Sequence, residues 1–273
     1  MGQLVDHVAN AVGVIYEPTK IRRKAKAEAE ALILEKKAQL LSESISERAK
    51  VRVEIEQIRN QANIEGILEK SFKFLPDNKN VQASEDWLAE FFDRSKNVSN
   101  EEIQEAWAKV LAQECSMKGS FNYDALDLLK RFTLDDAAIF EKFFSSTFKC
   151  NDEFFLFEYA DRPFNSYTIF DDVGMLMNDV SRLIEIGAVV KQEFSNFITS
   201  KETKLIHGDD EYSLKLVLNR HAGVEFINNY FYVYQLTTAG KQLSKIISVE
   251  KNKKFVNFAF NCLAHGGLCA DKK

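Results

Sequence analysis

Between residues 19 and 75 the chain has no proline and a single glycine, Gly66, and is built mainly from Ala, Glu, Lys, Leu, Arg and Gln. These are strong helix formers, so the stretch is predicted to be helical. Ile21, Ala25, Leu32, Leu40, Ile45, Val51, Ile55, Ile58, Ala62 and Ile67 recur along it at irregular three- and four-residue steps. A long charged helix with one apolar stripe is not stable alone in water. It must pack as a hairpin, or against another chain as a coiled coil. The serines of "LLSESISE" (40–47) compete for backbone hydrogen bonds and mark the place for a break. One unbroken helix is the alternative.

Ahead of this stretch, Leu4, Val8, Ala11, Val12 and Ile15 share helical spacing, and Pro18 can start the next helix. The short amphipathic segment either packs on the body of the protein or touches a membrane surface or another subunit. A basic cluster follows it directly. "KIRRKAK" places Lys20, Arg22, Arg23, Lys24 and Lys26 within seven residues. These charges either solvate the first turns of the helix, balanced by Glu28, Glu30 and Glu35, or contact the phosphates of nucleic acid or phospholipid.

The bulk charge narrows the choice. A net charge of −5 in 273 residues gives no general attraction to nucleic acid, so any such binding needs a local patch. Three prolines and 11 glycines favour long helices over a loop-rich β fold. The N-terminus shows no signal-peptide pattern, so Cys115, Cys150, Cys262 and Cys269 are expected as reduced thiols in a cytoplasm. No run approaches eighteen apolar residues, so no spanning helix is expected.

The polar stretch "LPDNKNVQASED" (75–86) suggests a boundary, and the pattern changes again after Cys150. Three segments are therefore expected: N-terminal amphipathic and long helices (1–75), a compact helical domain (76–150) and an α+β domain (151–273). In the middle segment "WLAEFFDRSK" is a short amphipathic helix, and Thr133 with Asp136 matches a capping box for "LDDAAIFEKFFSSTF". In the last segment "EFFLFEYA" fits a strand or a buried helix end. "SLKLVLNR" alternates as a strand. "NNYFYVYQLTTAGKQLSKII" reads as a strand running into a helix capped by Thr237 or Thr238. The tail "KFVNFAFNCLAHGG" suits a last strand or helix, with the final residues frayed.

The carboxylates of "VSNEEIQEAWAKVLAQE" (98–114) raise the question of a catalytic helix. Most have plainer roles. Ser99 as N-cap with Glu102 makes a capping box, Glu101 and Glu105 suit the positive helix start, and Glu105 can pair with Lys109. Ile103, Ala106, Trp107, Val110, Leu111 and Glu114 share one side, so Trp107 is expected in the core. Glu114 alone falls where a carboxylate would be buried, with a hydrogen bond to backbone or to Ser120 across the Gly119–Ser120 turn as its simplest role.

Other chemistry is sparse. His7, His207, His221 and His265 form no metal-binding or hydrolase motif, and no glycine-rich phosphate loop is present. Cys262, His265 and Cys269 could supply three metal ligands, one short of the usual structural zinc set. Asp209, Asp210, Glu211 and Lys215 contain the residue types of a nuclease acid pair and lysine, but a solvated loop tip is the plainer reading.

Two resemblances add to this. "GVIYEPTKIRRKAKAEAEA", "QANIEGILEKSF", "EDWLAEFFDRSKNVS" and the stretch from Val98 to about residue 145 resemble an uncharacterised bacterial family, a domain of unknown function. Trp107, Ala108, Lys109, Leu111, Ala112, Glu114, Gly119, Ser120 and Phe121 match its pattern, while Gln113 stands for a glycine and Lys118 for a proline. On this likeness Trp107, Glu114, Gly119 and Ser120 are a structural signature, with no activity attached. The tryptophan helix also resembles the abortive-infection alpha proteins of bacteria, which implies a role in phage defence. Farther on, "SRLIEIGAVV" and "YFYVYQLTTAGKQLSKII" resemble winged-helix proteins. The corresponding recognition helix would carry Asp171, Asp172, Asp179 and Glu185 against Arg182 alone, which suits protein contact better than DNA reading.

The expected fold is mainly α: a long N-terminal helix or helical hairpin, a central helical bundle and a C-terminal α+β winged-helix-like domain. The expected function is that of a cytoplasmic, non-enzymatic protein without cofactor or metal that forms a homo-oligomer through its N-terminal helices and contacts a protein partner. DNA binding through the C-terminal part and membrane-surface action through the N-terminal helix are the alternatives.

Overall fold

The computed structural model describes residues 2–13, 19–39, 44–75, 83–158, 175, 177–193, 202–216, 232–265 and 268–272. The chain forms two compact units, Met1–Lys130 and Arg131–Lys273.

The first unit is helical. It contains α1 (Gly2–Val12), α2 (Thr19–Gln39), α3 (Ile45–Ser71), α4 (Glu85–Ser95), α5 (Glu101–Ser116) and most of α6 (Tyr123–Arg131). The break expected within 40–47 separates α2 from α3, and the two helices pack on one another as a hairpin. Ser44 fixes the start of α3 with a reciprocal cap: its hydroxyl accepts from the Glu47 amide, and the Glu47 carboxylate accepts from the Ser44 amide. At α5 the cap is one residue later than the sequence suggested. Asn100, not Ser99, accepts the amides of Glu102 and Ile103, both at 3.0 Å. An Asn oxygen reaches two orphan amides at once, and Ser99 is left exposed outside the helix.

The core of this unit is shared by elements on both sides of the expected boundary at 75. Ile64, Ile67 and Leu68 of α3 are buried, as are Trp87, Leu88, Phe91 and Phe92 of α4 and Trp107, Val110 and Leu111 of α5. Helix α3 packs along α5, and α1 packs along α4, burying Leu4 and Val8. No single helix here could hide its apolar stripe alone, so the first two expected segments form one unit up to residue 130. Each fully buried large apolar side chain is worth about 1.5–3 kcal/mol.

The second unit holds α7 (Leu134–Ser145), β1 (Phe148–Cys150), β2 (Glu153–Glu158), α8 (Met177–Glu185), β3 (Val189–Glu193), β4 (Glu202–His207), β5 (Asp210–Leu216), β6 (Tyr232–Leu236), α9 (Thr238–Ser244), α10 (Lys253–His265) and β7 (Leu268–Lys272). The strands form one sheet in the order β3-β6-β2-β1-β4-β5-β7, with antiparallel neighbours throughout. The last residues are thus not frayed: β7 gains a ladder of hydrogen bonds along β5, from Leu268 opposite Leu216 to Lys272 opposite Tyr212. Aromatic packing fills the unit. The Phe148 ring lies within 6 Å of Phe157, His207, Phe255 and Phe260.

Gly187, at φ +82°, ends α8 in the left-handed conformation that L side chains avoid, and the chain turns into β3. Thr237 caps α9. Its hydroxyl accepts from the Gly240 amide at 3.1 Å and donates to the Gly187 carbonyl at 2.8 Å, which ties the helix start to the end of α8. No helix among the described residues is long and apolar enough to cross a membrane.

Candidate functional site

Three places in the fold gather the residues that the sequence singled out. The first is the turn after α5. Glu114 is 2% exposed, and its two oxygens accept the amides of Gly119 (2.7 Å) and Phe121 (2.9 Å). The carboxylate therefore bridges to backbone rather than to Ser120, whose hydroxyl donates to the Met117 carbonyl at 2.7 Å. Gly119 lies at φ +83°, the left-handed conformation that lets the chain reverse here. The Phe121 carbonyl accepts the indole N–H of Trp87 at 2.9 Å, so both polar groups of Phe121 are taken by buried side chains. Trp107, fully buried, meets the Phe91 ring edge to face at 5.2 Å. Its indole N–H has no hydrogen-bond partner among the described residues, so packing alone holds it. Glu105 pairs with Lys109 at 3.2 Å. The turn brings Glu114, Gly119 and Ser120 together, with each Glu114 oxygen holding one backbone amide of the reversal.

The second place is the hairpin of α2 and α3. The basic cluster Lys20, Arg22, Arg23, Lys24 and Lys26 lies on the first turns of α2, and its side chains fall outside the described positions. From residue 27 to 38 no side chain of α2 is buried. Leu34 is 67% exposed, and Leu32 is exposed as well, as are Ile45 and Val53 on α3. A salt bridge from Lys36 to Glu54 joins the two helices. A groove of about 480 Å³ runs between α2, α3 and the start of α5, with Ile33, Ile58, Ala62 and Gln104 among its walls.

The third place escaped the sequence reading. At the junction of α7 and β1, three groups from elsewhere in the chain converge on adjacent backbone carbonyls. Lys251 donates to the Phe144 carbonyl and the Thr147 hydroxyl, and its ammonium lies 3.9 Å from the Phe144 ring centre. The Asn252 amide donates to the Ser145 carbonyl at 2.9 Å. His207, 2% exposed, places Nδ1 3.1 Å from the Thr147 carbonyl and Nε2 3.2 Å from the Asn252 carbonyl. Burial pushes the Lys251 amine down to about 8. The sequence offered one hint, a histidine ending a strand just before a glycine turn; nothing in "SVEKNKKF" marks Lys251.

The remaining candidates are dispersed. Asp210 pairs with Lys272 at 2.7 Å and Glu211 pairs with Lys204, so these acids sit in ion pairs beside the β4–β5 turn. The side chains of Cys262, His265 and Cys269 fall outside the described positions. Among the described residues no group of three or more His, Cys, Asp or Glu is placed to hold a metal. Cys115 and Cys150 are buried free thiols, and burial pushes Cys115 up to about 12.

Comparison with known proteins places the chain in a family. Residues 47–259 fit the model of a family described as a protein of unknown function, DUF2806, and the chain belongs to that family. The matched span takes in the α5 turn and the His207–Lys251 junction, and leaves α1, α2 and β7 outside it. No curated protein and no solved structure matches the chain.

Proposed function

We propose that this DUF2806 member is a cytoplasmic, non-enzymatic interaction protein that assembles with copies of itself through the α2–α3 hairpin. The observation that carries this reading is the state of α2, which buries no described side chain while Leu32 and Leu34 stand in solvent. A charged helix gains most of its stability from packing an apolar face, and a second hairpin supplies that packing. The free thiols Cys115 and Cys150 support a reducing compartment. The likeness of the tryptophan helix to abortive-infection alpha proteins points to phage defence as the setting. Light scattering of the full chain tests the assembly. An oligomer that Leu32→Glu with Leu34→Glu reduces to a folded monomer is expected; a wild-type monomer at micromolar concentration would sink the idea. Unchanged plaque counts across a phage panel, with and without the protein expressed, would remove the defence setting.

A winged-helix-like arrangement of the second unit is a further part of the proposal. It is supported by the strand order β3-β6-β2, by α8 leading directly into β3, and by α9 following β6 directly, with β4 and β5 intervening between β3 and β6. We read it as a protein-contact module. The arginine of α8, Arg182, donates to Asp136, and Asp179 and Glu185 share its helix. DNA should meet Arg, Lys, Asn or Gln on such a helix. A salt-dependent gel shift of the full chain, abolished by Arg182→Ala, would overturn this in favour of DNA binding.

The membrane alternative has less support. Leu4 and Val8, the apolar residues it relies on, are covered by the packing of α1 on α4. Liposome flotation of the full chain would reopen it if the protein floated.

A further inference from the structure

We propose that His207 and Lys251 form an acid-sensitive latch: a second proton on the imidazole puts two cations in one buried corner, and the 251–252 segment then lets go of the end of α7. The geometry makes the corner tight. Thr147, 1% exposed, receives the Lys251 ammonium on its hydroxyl and the His207 ring on its carbonyl. Gly208, next to His207, faces the Lys251 stem so closely that a Cβ on it would stand 3.3 Å from Lys251 Cγ. The Phe148 ring covers the imidazole at 5.1 Å.

Both ring nitrogens face carbonyl oxygens, yet a neutral imidazole has one N–H to give. The neutral ring therefore satisfies one of the two contacts; a second proton would complete the other, but at the cost of a second positive charge in a buried corner that already holds the Lys251 ammonium. The Thr147 side is buried and the Asn252 side is only partly so. Release accordingly occurs on the Asn252 side, where water can replace the lost partner.

The surrounding charges set the direction. Burial, the largest influence, and the Lys251 ammonium hold the imidazole below its ordinary 6.5, while the Thr147 and Asn252 carbonyls and Asp210 pull the other way. Asp210 is itself occupied by Lys272 and the Tyr212 hydroxyl, and Lys253 also acts on it. The closed corner thus binds a proton less readily than an open one in which the ring meets water. By linkage, acid favours the open form, about tenfold for each unit separating the two.

Hydrogen exchange of the full chain tests the latch, read on the peptide covering residues 250–256. It contains the Asn252 amide, bonded to Ser145, and the Phe255 amide, bonded to Asn252. After correction for intrinsic exchange, wild-type protection there is expected to fall by about threefold or more between pH 7.5 and 5.5, with α5 peptides unchanged. His207→Gln, which cannot gain the charge, is expected to lose that response. Lys251→Gln keeps a donor for Phe144 and Thr147 without the charge, and is expected to respond less than wild type. Equal wild-type protection at both pH values, or an undiminished acid response in either variant, would overturn the latch.

Discussion

Arg182 of α8 grips Asp136 of α7 with two hydrogen bonds, from Nε at 2.7 Å and from Nη2 at 3.1 Å. The same carboxylate accepts the Thr133 amide and hydroxyl, each at 2.9 Å, so it caps one helix while it anchors another. One oxygen, Oδ2, serves both tasks.

The acid dependence of this pair follows from its sign. The Arg182 guanidinium, with help from Thr133, holds Asp136 down to about 2 from an ordinary 3.8. A depressed carboxylate contributes stability that is whole above 3.8 and is lost as pH falls through about 2. Asp136→Asn is expected to cost about 2 kcal/mol at neutral pH, a figure tempered by the exposure of Arg182. It should also flatten the stability profile between pH 4 and 2, roughly the window of the shift. Urea unfolding across that range would contradict this if both proteins lost stability equally.

Glu114 offers a test of whether its carboxylate is structural. Glu114→Ala strips acceptors from the amides of Gly119 and Phe121 and is expected to cost about 3 kcal/mol. Glu114→Gln keeps one acceptor oxygen and should cost roughly half as much. Denaturant midpoints measure both. A loss below about 0.5 kcal/mol in each would show that the turn does not need the carboxylate.

Gly240 sits where a methyl group would collide with the Ala188 carbonyl oxygen, which also accepts the Thr237 amide at 3.0 Å. Gly240→Ala is expected to destabilise the protein by about 1–3 kcal/mol, despite the better helix propensity of alanine. Thermal unfolding decides it, and an unchanged midpoint would mean that α9 can shift away from β3 at no cost.

Much of this fold was legible in the sequence because its rules are local. Thr133 with Asp136 and Thr237 before α9 each act within a few residues, and each does what its spacing suggested. The break between α2 and α3 was readable from the serines for the same reason. Ser99 misled because two neighbouring residues could both cap, and only geometry favours Asn100. The pairing of β7 with β5 and the meeting of His207 with Lys251 were out of reach, since each joins parts of the chain that are far apart in sequence. Periodicity and capping contain no information about which strand lies beside which.

The rung that pairs Glu193 with Tyr232 has a consequence for the topology. It brings together the two ends of residues 194–231, which include β4 and β5. A short reverse turn could close the same rung, leaving β3, β6 and β2 in place. The excursion it closes carries His207 and β5, the strand on which β7 lies, so the β4–β5–β7 side of the sheet hangs on a part of the chain that leaves and returns at one rung.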